Sequence, residues 1–373
     1  MNPRPPTWNH SMKSTSYTTT IGSLLLSLVF LASCARHTPR PPDSPPSEPA
    51  MEEEVSFPSG DLTLRGLLSV PQRQPDARLP AIVLVHGSGP QGRDVVLPLN
   101  FPQAGGLSVS TFRDLAEKLS ANGYVVLRYD KRTCGPFNKR CDNDYPLPEG
   151  VLVSHFEADA SAGLDFLATR VEVDPSKMIV IGHSQGASFV PRLLSQRKEL
   201  LAGVLLAPGY RPVDQLLSWQ IGLQRELAAQ TGMTSEQVDA AFTPLEQTAL
   251  DLAALRSNSY TGDALDPNEQ QFWLEWMTLC DEVPDVARTV SQPMLVLSGD
   301  YDWNTPPAET EAWATLFSSL PQDPGHKAEV LPCVTHALNC VRQPDWLQVQ
   351  PDDVETTVSD QVVAMILEFL EAP

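Results

Sequence analysis

The chain has 373 residues, and its 46 acidic against 26 basic residues give a formal net charge of −20. That balance excludes nucleic-acid binding through clustered Lys and Arg, and attraction to anionic lipid through a basic patch. At 42% hydrophobic and 19% charged, the chain holds enough apolar material for a core, so wholesale disorder is excluded too.

Ile21 to Leu31 (IGSLLLSLVFL) is an apolar run preceded by Lys13, too short for a stable membrane-crossing helix, which takes ~20 residues. It ends in Leu31-Ala32-Ser33-Cys34. This ending resembles the bacterial lipoprotein signal, in which small residues precede a Cys that is lipidated and becomes the first residue. The resemblance implies a leader at 1–33, a lipid on Cys34 and a lipid-anchored place in the cell envelope, periplasm-facing or at the surface. Ala35 rather than Asp after the Cys favours the outer membrane by similarity to enterobacterial sorting. An ordinary signal peptide with a coincidental Cys is the plainer alternative. Residues 1–11 are long and weakly charged for such a leader, so Met12 competes with Met1 as the start. Thr38 to Ala50 follows with six Pro in thirteen residues, a composition that favours a semi-rigid polyproline tether and cannot pack a core. Residues 34–54 therefore read as a lipidated linker and 55–373 as the folded domain.

Within that domain, Leu62 to Val70 alternates as an antiparallel strand does, and Pro80 leads into AIVLVHGSG, the continuous apolar run of a strand buried on both faces. Phe112 to Asn122 has helical spacing and stops at Gly123; Tyr124 to Tyr129 is the next strand. Phe156 to Thr169 repeats the helical period, with Phe156, Ala160, Leu164 and Leu167 on one face. Met178 to Ile181 is a strand, Ala187 to Leu194 a helix and Gly203 to Leu206 a strand. A strand at Pro293 to Leu297, a helix at Ala308 to Phe317, a strand at Ala328 to Leu331 and a helix near Val354 to Leu370 complete the series. Strands alternating with helices predict an α/β fold, a mostly parallel sheet with helices on both faces. The segment 211–290 breaks the alternation with three helices, around Val213–Ala229, Ser235–Arg256 and Asn268–Cys280. An insertion between strands of such a sheet is well placed to be a lid over a site at the strand carboxyl ends. Its Trp219, Phe272, Trp273, Trp276 and Met277 read first as packing within the cap, and second as substrate contacts.

Gly182-His183-Ser184-Gln185-Gly186 sits between a buried strand and a helix, the context that a G-x-S-x-G nucleophile elbow requires. A helix N-cap is the plain alternative for Ser184. Its base is sought among seven His. His10 and His37 lie in the leader and linker, His86 in a glycine turn, His155 at a helix start and His183 inside the elbow. His326 precedes its strand and belongs at the opposite sheet edge. His336 follows its strand, in Pro332-Cys333-Val334-Thr335-His336, and is the candidate base. The orienting carboxylate belongs between the two, after a strand, and Asp300 and Asp302 both qualify. Asp302 is preferred because three residues past Gly299 the chain can turn back toward the histidine loop, with Asp300 capping the turn. His86-Gly87-Ser88-Gly89-Pro90 offers the N–H of Ser88 for an oxyanion, joined by the N–H of Gln185. A phosphate loop is the rival reading of that turn, but it lacks the Lys-Ser/Thr of a P-loop and a third fingerprint Gly.

Cys134 and Cys141 bracket one loop and Cys333 and Cys340 another, leaving Cys280 single. In an exported chain both pairs are candidate disulfides. No Cys/His spacing for structural zinc appears, so no metal and no cofactor are expected.

HGSGP, YDKRTCG (Tyr129 to Gly135), GHSQG, GDYDWNTPP and LPCVTHAL, in that order, resemble the bacterial α/β-hydrolases of the dienelactone-hydrolase-like and serine-esterase group. The resemblance runs from about Val55 to Pro373 and is weakest across the insertion. It implies the α/β-hydrolase fold and hydrolysis through an acyl-enzyme, with Ser here although dienelactone hydrolases use Cys. Where the family carries Arg-Gly, this chain has Arg132-Thr133-Cys134-Gly135. The expectation is a serine hydrolase of small-molecule carboxylic esters, with Ser184, Asp302 and His336 catalytic, membrane-tethered through Cys34 and without nucleic-acid partners. Oligomeric state is not legible. The alternatives are a peptidase or amidase of prolyl-oligopeptidase type, whose usual β-propeller finds no room before the domain, and a non-catalytic surface-binding lipoprotein.

Overall fold

The computed structural model describes residues 50–135, 141, 150–322 and 324–371. The leader, Cys34 and the linker up to residue 49 lie outside the described residues. In chain order the described elements are β1 (Met51–Ser59), β2 (Leu62–Val70), β3 (Leu79–Val85), β4 (Val96–Phe101), β5 (Ala104–Ser110), α1 (Thr111–Ala121) and β6 (Val125–Tyr129). Then follow α2 (Val153–Ala168), β7 (Val173–His183), α3 (Val190–Gln196), β8 (Ala202–Leu206), α4 (Val213–Ala228), α5 (Ser235–Arg256) and α6 (Pro267–Ala287). The series closes with β9 (Met294–Tyr301), α7 (Pro307–Ser318), β10 (Lys327–Thr335) and α8 (Asp360–Glu371).

Eight strands form one sheet in the order β1-β2-β6-β3-β7-β8-β9-β10. The β1–β2 and β2–β6 pairs are antiparallel and every pair from β6 to β10 is parallel. The central strands are apolar without interruption because successive side chains enter different cores. Ile82, Leu84, Val126, Ile179, Ile181, Leu295 and Leu297 pack on one face with Phe112, Leu115, Ile366 and Phe369 of α1 and α8. Ala81, Val83, Val85, Leu127, Val180 and Val296 pack on the other with Phe156, Leu164, Leu193 and Trp313 of α2, α3 and α7. The mostly parallel sheet covered on both faces is the fold expected from the sequence.

Several boundaries differ from expectation, each for a physical reason. β1 starts at Met51, inside the expected linker, because its glutamates are not a solvated tail. Glu52 meets the buried Arg128 at 2.7 Å and Glu53 meets Arg170 at 2.6 Å. The hairpin β4–β5 was not expected, although Leu97, Leu99 and Phe101 alternate inward against the first core. α6 runs to Ala287 rather than Cys280, since Leu279, Val283 and Ala287 continue its buried stripe at i, i+4 and i+8. α8 begins at Asp360 rather than near Val354. Upstream backbone donors are taken by tertiary partners instead: Val358 N–H by Asp114 at 3.1 Å and Ser359 N–H by the Leu338 carbonyl at 2.8 Å.

The segment 211–290 contains α4, α5 and α6, which share a small core of Val213, Leu217, Ile221, Phe242, Leu245, Leu252 and Met277. Trp273 and Trp276 stack at 5.3 Å against it, and Phe272 meets Phe156 of α2 edge-on at 6.3 Å. Packing thus accounts for these three aromatics. No helix among the described residues is long and apolar enough to cross a membrane.

Candidate active site

β7 ends at His183 and the chain turns at once into a 3₁₀ turn, Ser184–Phe189, before α3; the expected helix from Ala187 is thus delayed to Val190. Ser184 has φ 54°, left-handed backbone that a non-glycine residue rarely adopts. The flanking glycines make the turn sterically possible. A Cβ on Gly182 would stand 2.2 Å from the Gly186 carbonyl oxygen, and one on Gly186 would stand 2.2 Å from that of Val85. Ser184 is accordingly not a helix cap but the apex of a strained strand-to-helix elbow. The loop after β3 lies against it, since a Cβ on Gly87 would come within 3.1 Å of Ser184 Cβ. Ser88 is exposed and Gln185 is buried in this region.

At the ends of β9 and β10 the structure brings Asp302 and His336 together. Nδ1 of His336 donates to Oδ2 of Asp302 at 2.8 Å. Asp302 is 1% exposed, and three further donors fix its carboxylate. Asn304 N–H and Thr305 N–H each reach Oδ1 at 2.9 Å, and the Thr305 hydroxyl reaches Oδ2 at 2.8 Å. With the Nδ1 proton committed to Asp302, Nε2 is the ring atom left with a lone pair. Asp300 does something else: exposed, it accepts the backbone N–H of Cys333 at 2.7 Å and braces the base of the histidine loop. The structure thus brings Asp302 to His336, while the turn that Asp300 was expected to cap is capped by Asp302 itself, because its carboxylate faces the Asn304 and Thr305 N–H groups.

His336 sits in a tight turn. Thr335 N–H donates to the Asn339 carbonyl at 2.9 Å, and Cys333 and Cys340 close a disulfide around the turn. The Thr111 hydroxyl also holds the Ala337 carbonyl at 3.1 Å. The second expected disulfide, Cys134–Cys141, is formed as well.

The elbow and the histidine loop are joined by a residue that sequence reasoning passed over. His183 lies 4.8 Å from His336, ring to ring, and its Nε2 donates to the His336 carbonyl at 2.8 Å. Burial, reinforced by the neighbouring His336, pulls the His183 pKa down to about 3, so the ring is neutral and holds its donor proton on Nε2. The sequence signal was its place in the elbow, which alone assigns no role. The other histidines among the described residues fall where expected. His326 accepts the Met294 N–H at 3.1 Å at the far sheet edge, and His155 accepts the Leu152 N–H at 3.1 Å as an α2 cap. His86 is buried against Phe112 and Tyr129, and burial lowers its pKa to about 3.

The insertion touches this edge: Gln220 of α4 donates to the Asn304 carbonyl at 2.5 Å, two residues beyond Asp302. A serine on a strained elbow, an imidazole fixed on a buried carboxylate and a glycine loop beside the serine are the parts that acyl transfer uses.

Comparison with known proteins agrees with this architecture. Residues 82–354 match the alpha/beta hydrolase family model. Esterase EstD of Thermotoga maritima is 28% identical over 276 residues, covering 72% of this chain and 58% of the relative. The chain thus spans little more than half the length of that curated relative. Among solved structures, DcsB in complex with its substrate analogue aligns at TM-score 0.50 and 16% identity, over 86% of this chain and 99% of that one. Acylaminoacyl peptidase of Pyrococcus horikoshii aligns at TM-score 0.47 and 16% identity, over 78% of this chain and 38% of the other. The likeness to DcsB concerns the fold alone. With the family model covering most of the described sheet, from β3 to the segment before α8, the chain belongs to the alpha/beta hydrolase family.

Proposed function

We propose that this protein is a serine hydrolase of carboxylic esters, of the dienelactone-hydrolase-like group, working through an acyl-enzyme. The observation that carries the reading is the 2.8 Å bond between His336 Nδ1 and the buried Asp302, with a serine held at φ 54° on the elbow whose His183 donates to the His336 carbonyl. Ser184 Oγ attacks the acyl carbonyl carbon while His336 Nε2 takes the hydroxyl proton. Asp302 steadies the imidazolium that forms. The oxyanion accepts the N–H groups of Ser88 and Gln185. The carbon–oxygen bond to the alcohol then breaks, with the Nε2 proton passing to the leaving oxygen. Water, deprotonated by the same nitrogen, releases the acid and restores Ser184. The name of the Thermotoga maritima relative, an esterase, is in line with this chemistry.

Helices α4 to α6 serve as a lid in this reading, and the Gln220–Asn304 contact is what ties them to the site's edge. A lipid on Cys34 tethers the enzyme to the cell envelope, the reading favoured by the Leu-Ala-Ser-Cys ending and the Pro-rich stretch behind it. The test is turnover of p-nitrophenyl acyl esters of graded length beside aminoacyl amides, with a fluorophosphonate probe on the unmutated chain and on Ser184→Ala. Ester turnover and labelling, both lost in Ser184→Ala, are expected. Faster amide cleavage would give the peptidase reading, and absence of labelling and turnover would give a binding protein.

A further inference from the structure

The run Asp130-Lys131-Arg132 follows β6, and each of its side chains points to a different partner. Asp130 takes Arg93, with Nη2 at 2.6 Å and the Arg93 backbone N–H at 2.8 Å, and so clamps the chain after β3. Arg132 forms a two-pronged pair with Asp159 of α2 at 2.6 and 2.8 Å, both residues buried. Lys131 turns inward, only 2% exposed. Its Nζ donates to the Gly87 carbonyl at 2.6 Å and to Gln185 Oε1 at 3.1 Å, and lies 4.0 Å over the Phe156 ring.

The identity of those two acceptors matters. The Gly87 carbonyl belongs to the peptide unit whose N–H is that of Ser88. Gln185 is the residue whose backbone N–H is the other oxyanion donor of the proposed mechanism. One buried ammonium therefore grips both halves of the oxyanion site from behind. A peptide group is planar, so fixing its carbonyl fixes the direction of its N–H. A cation on the carbonyl also draws electron density through the amide and strengthens the N–H as a donor, the more so where water is excluded.

We propose that Lys131 is a positioning residue for ester hydrolysis, which orients and polarises the Gly87–Ser88 peptide and anchors Gln185 so that their N–H groups meet the developing oxyanion. This rests on the proposed serine-hydrolase reading. Lys131 does not touch the reacting atoms; it acts through the two groups it holds.

The ammonium is poised. Burial lowers the Lys131 pKa to about 7, opposed by the Asp159 carboxylate across the gap on α2. The other charged or titratable groups around it are Asp130 and Arg132 on its own loop, Tyr129 on β6 and His86 after β3. His86 is neutral, Tyr129 keeps its proton, and Asp130 and Arg132 are paired with Arg93 and Asp159. The charge that varies across neutral pH in this cluster is thus that of Lys131. Polarisation is present below pH about 7 and fades above it, so kcat/KM declines on the alkaline side.

The experiment uses the full chain with p-nitrophenyl butyrate, comparing unmutated enzyme, Lys131→Met, Gln185→Met and Ser184→Ala. Lys131→Met is expected to lower kcat by ~100-fold with KM changed less than about threefold, the scale of a lost oxyanion donor, and to lose the decline of kcat/KM near pH 7. Gln185→Met, which keeps its backbone N–H, is expected to lower kcat by about fivefold. Lys131→Met with kcat within threefold of the parent, or with only KM raised, overturns the proposal while loss of turnover in Ser184→Ala leaves the serine reading standing. If Lys131→Met fails to fold, the other arms decide. A flat kcat/KM between pH 6.5 and 9 in the parent, together with Gln185→Met within twofold, overturns it. Full turnover in Ser184→Ala instead removes the serine reading itself.

Discussion

His183 donates a hydrogen bond from Nε2 to the backbone carbonyl of His336 at 2.8 Å, tying the elbow that carries Ser184 to the turn that carries the imidazole. Two segments 153 residues apart in the chain are thereby joined by one part-buried hydrogen bond. The expected cost of removing it, in His183→Phe, is about tenfold in kcat/KM, the worth of roughly one neutral hydrogen bond. Steady-state kinetics on the folded variant check this; unchanged kinetics would mean that the loop's other contacts, with Asp302, Asp300, Thr111 and the disulfide, position it without His183.

Asp302 and Asp300 lie two residues apart but in different environments. Asp302→Asn removes the acceptor that holds the Nδ1 proton, and a loss of ~10⁴-fold in kcat is expected. Asp300→Asn touches only the Cys333 N–H contact and should cost less than about fivefold. Kinetics on the two single variants separate them, and the reverse order would move the orienting role to Asp300.

The Cys333–Cys340 disulfide closes a short loop, with a sequence separation of seven, around the histidine turn. Replacing both with Ser should lower stability by about 2 kcal/mol on the chain-entropy account of a short loop. Activity should fall further than stability explains, since the turn itself is loosened. Calorimetry and kinetics on the same sample check the two parts.

The pKa values of His86 and His183, lowered by burial to about 3, give stability a defined acid dependence. In the unfolded chain both histidines take up protons below their ordinary value near 6.5, whereas the folded protein resists protonation until about pH 3. The unfolded state therefore binds more protons in this window, and stability present above pH 6.5 is lost as pH falls toward 3. Thermal melts between pH 7 and 4 should show Tm falling, with a shallower slope in His86→Phe; an equal slope would assign the loss to groups other than His86.

The lipid-anchor proposal has its own test. Cys34→Ser should release the protein from membranes into the soluble fraction while its specific ester activity is unchanged. Retention in the membrane fraction would refute the anchor.

Much of this was legible in the chain itself. The uninterrupted apolar strands, Ile82 to Val85 and Met178 to Ile181 among them, announce a sheet buried on both faces because no alternating pattern satisfies two cores at once. The GHSQG pentapeptide is equally direct, because an elbow at φ 54° between β7 and the following helix leaves no space for side chains at positions 182 and 186. Other features depend on contacts across the fold. Glu52 and Glu53 read as a tether until Arg128 and Arg170 claim them. His183 is a variable position until a carbonyl 153 residues away meets it. Lys131 is one cation among 26 basic residues until folding buries its ammonium behind the Gly87 carbonyl. Local sequence determines backbone conformation and periodicity, which act over a few residues. Which partner a buried polar group finds, and hence its charge and its role, is decided only when distant segments exclude water together.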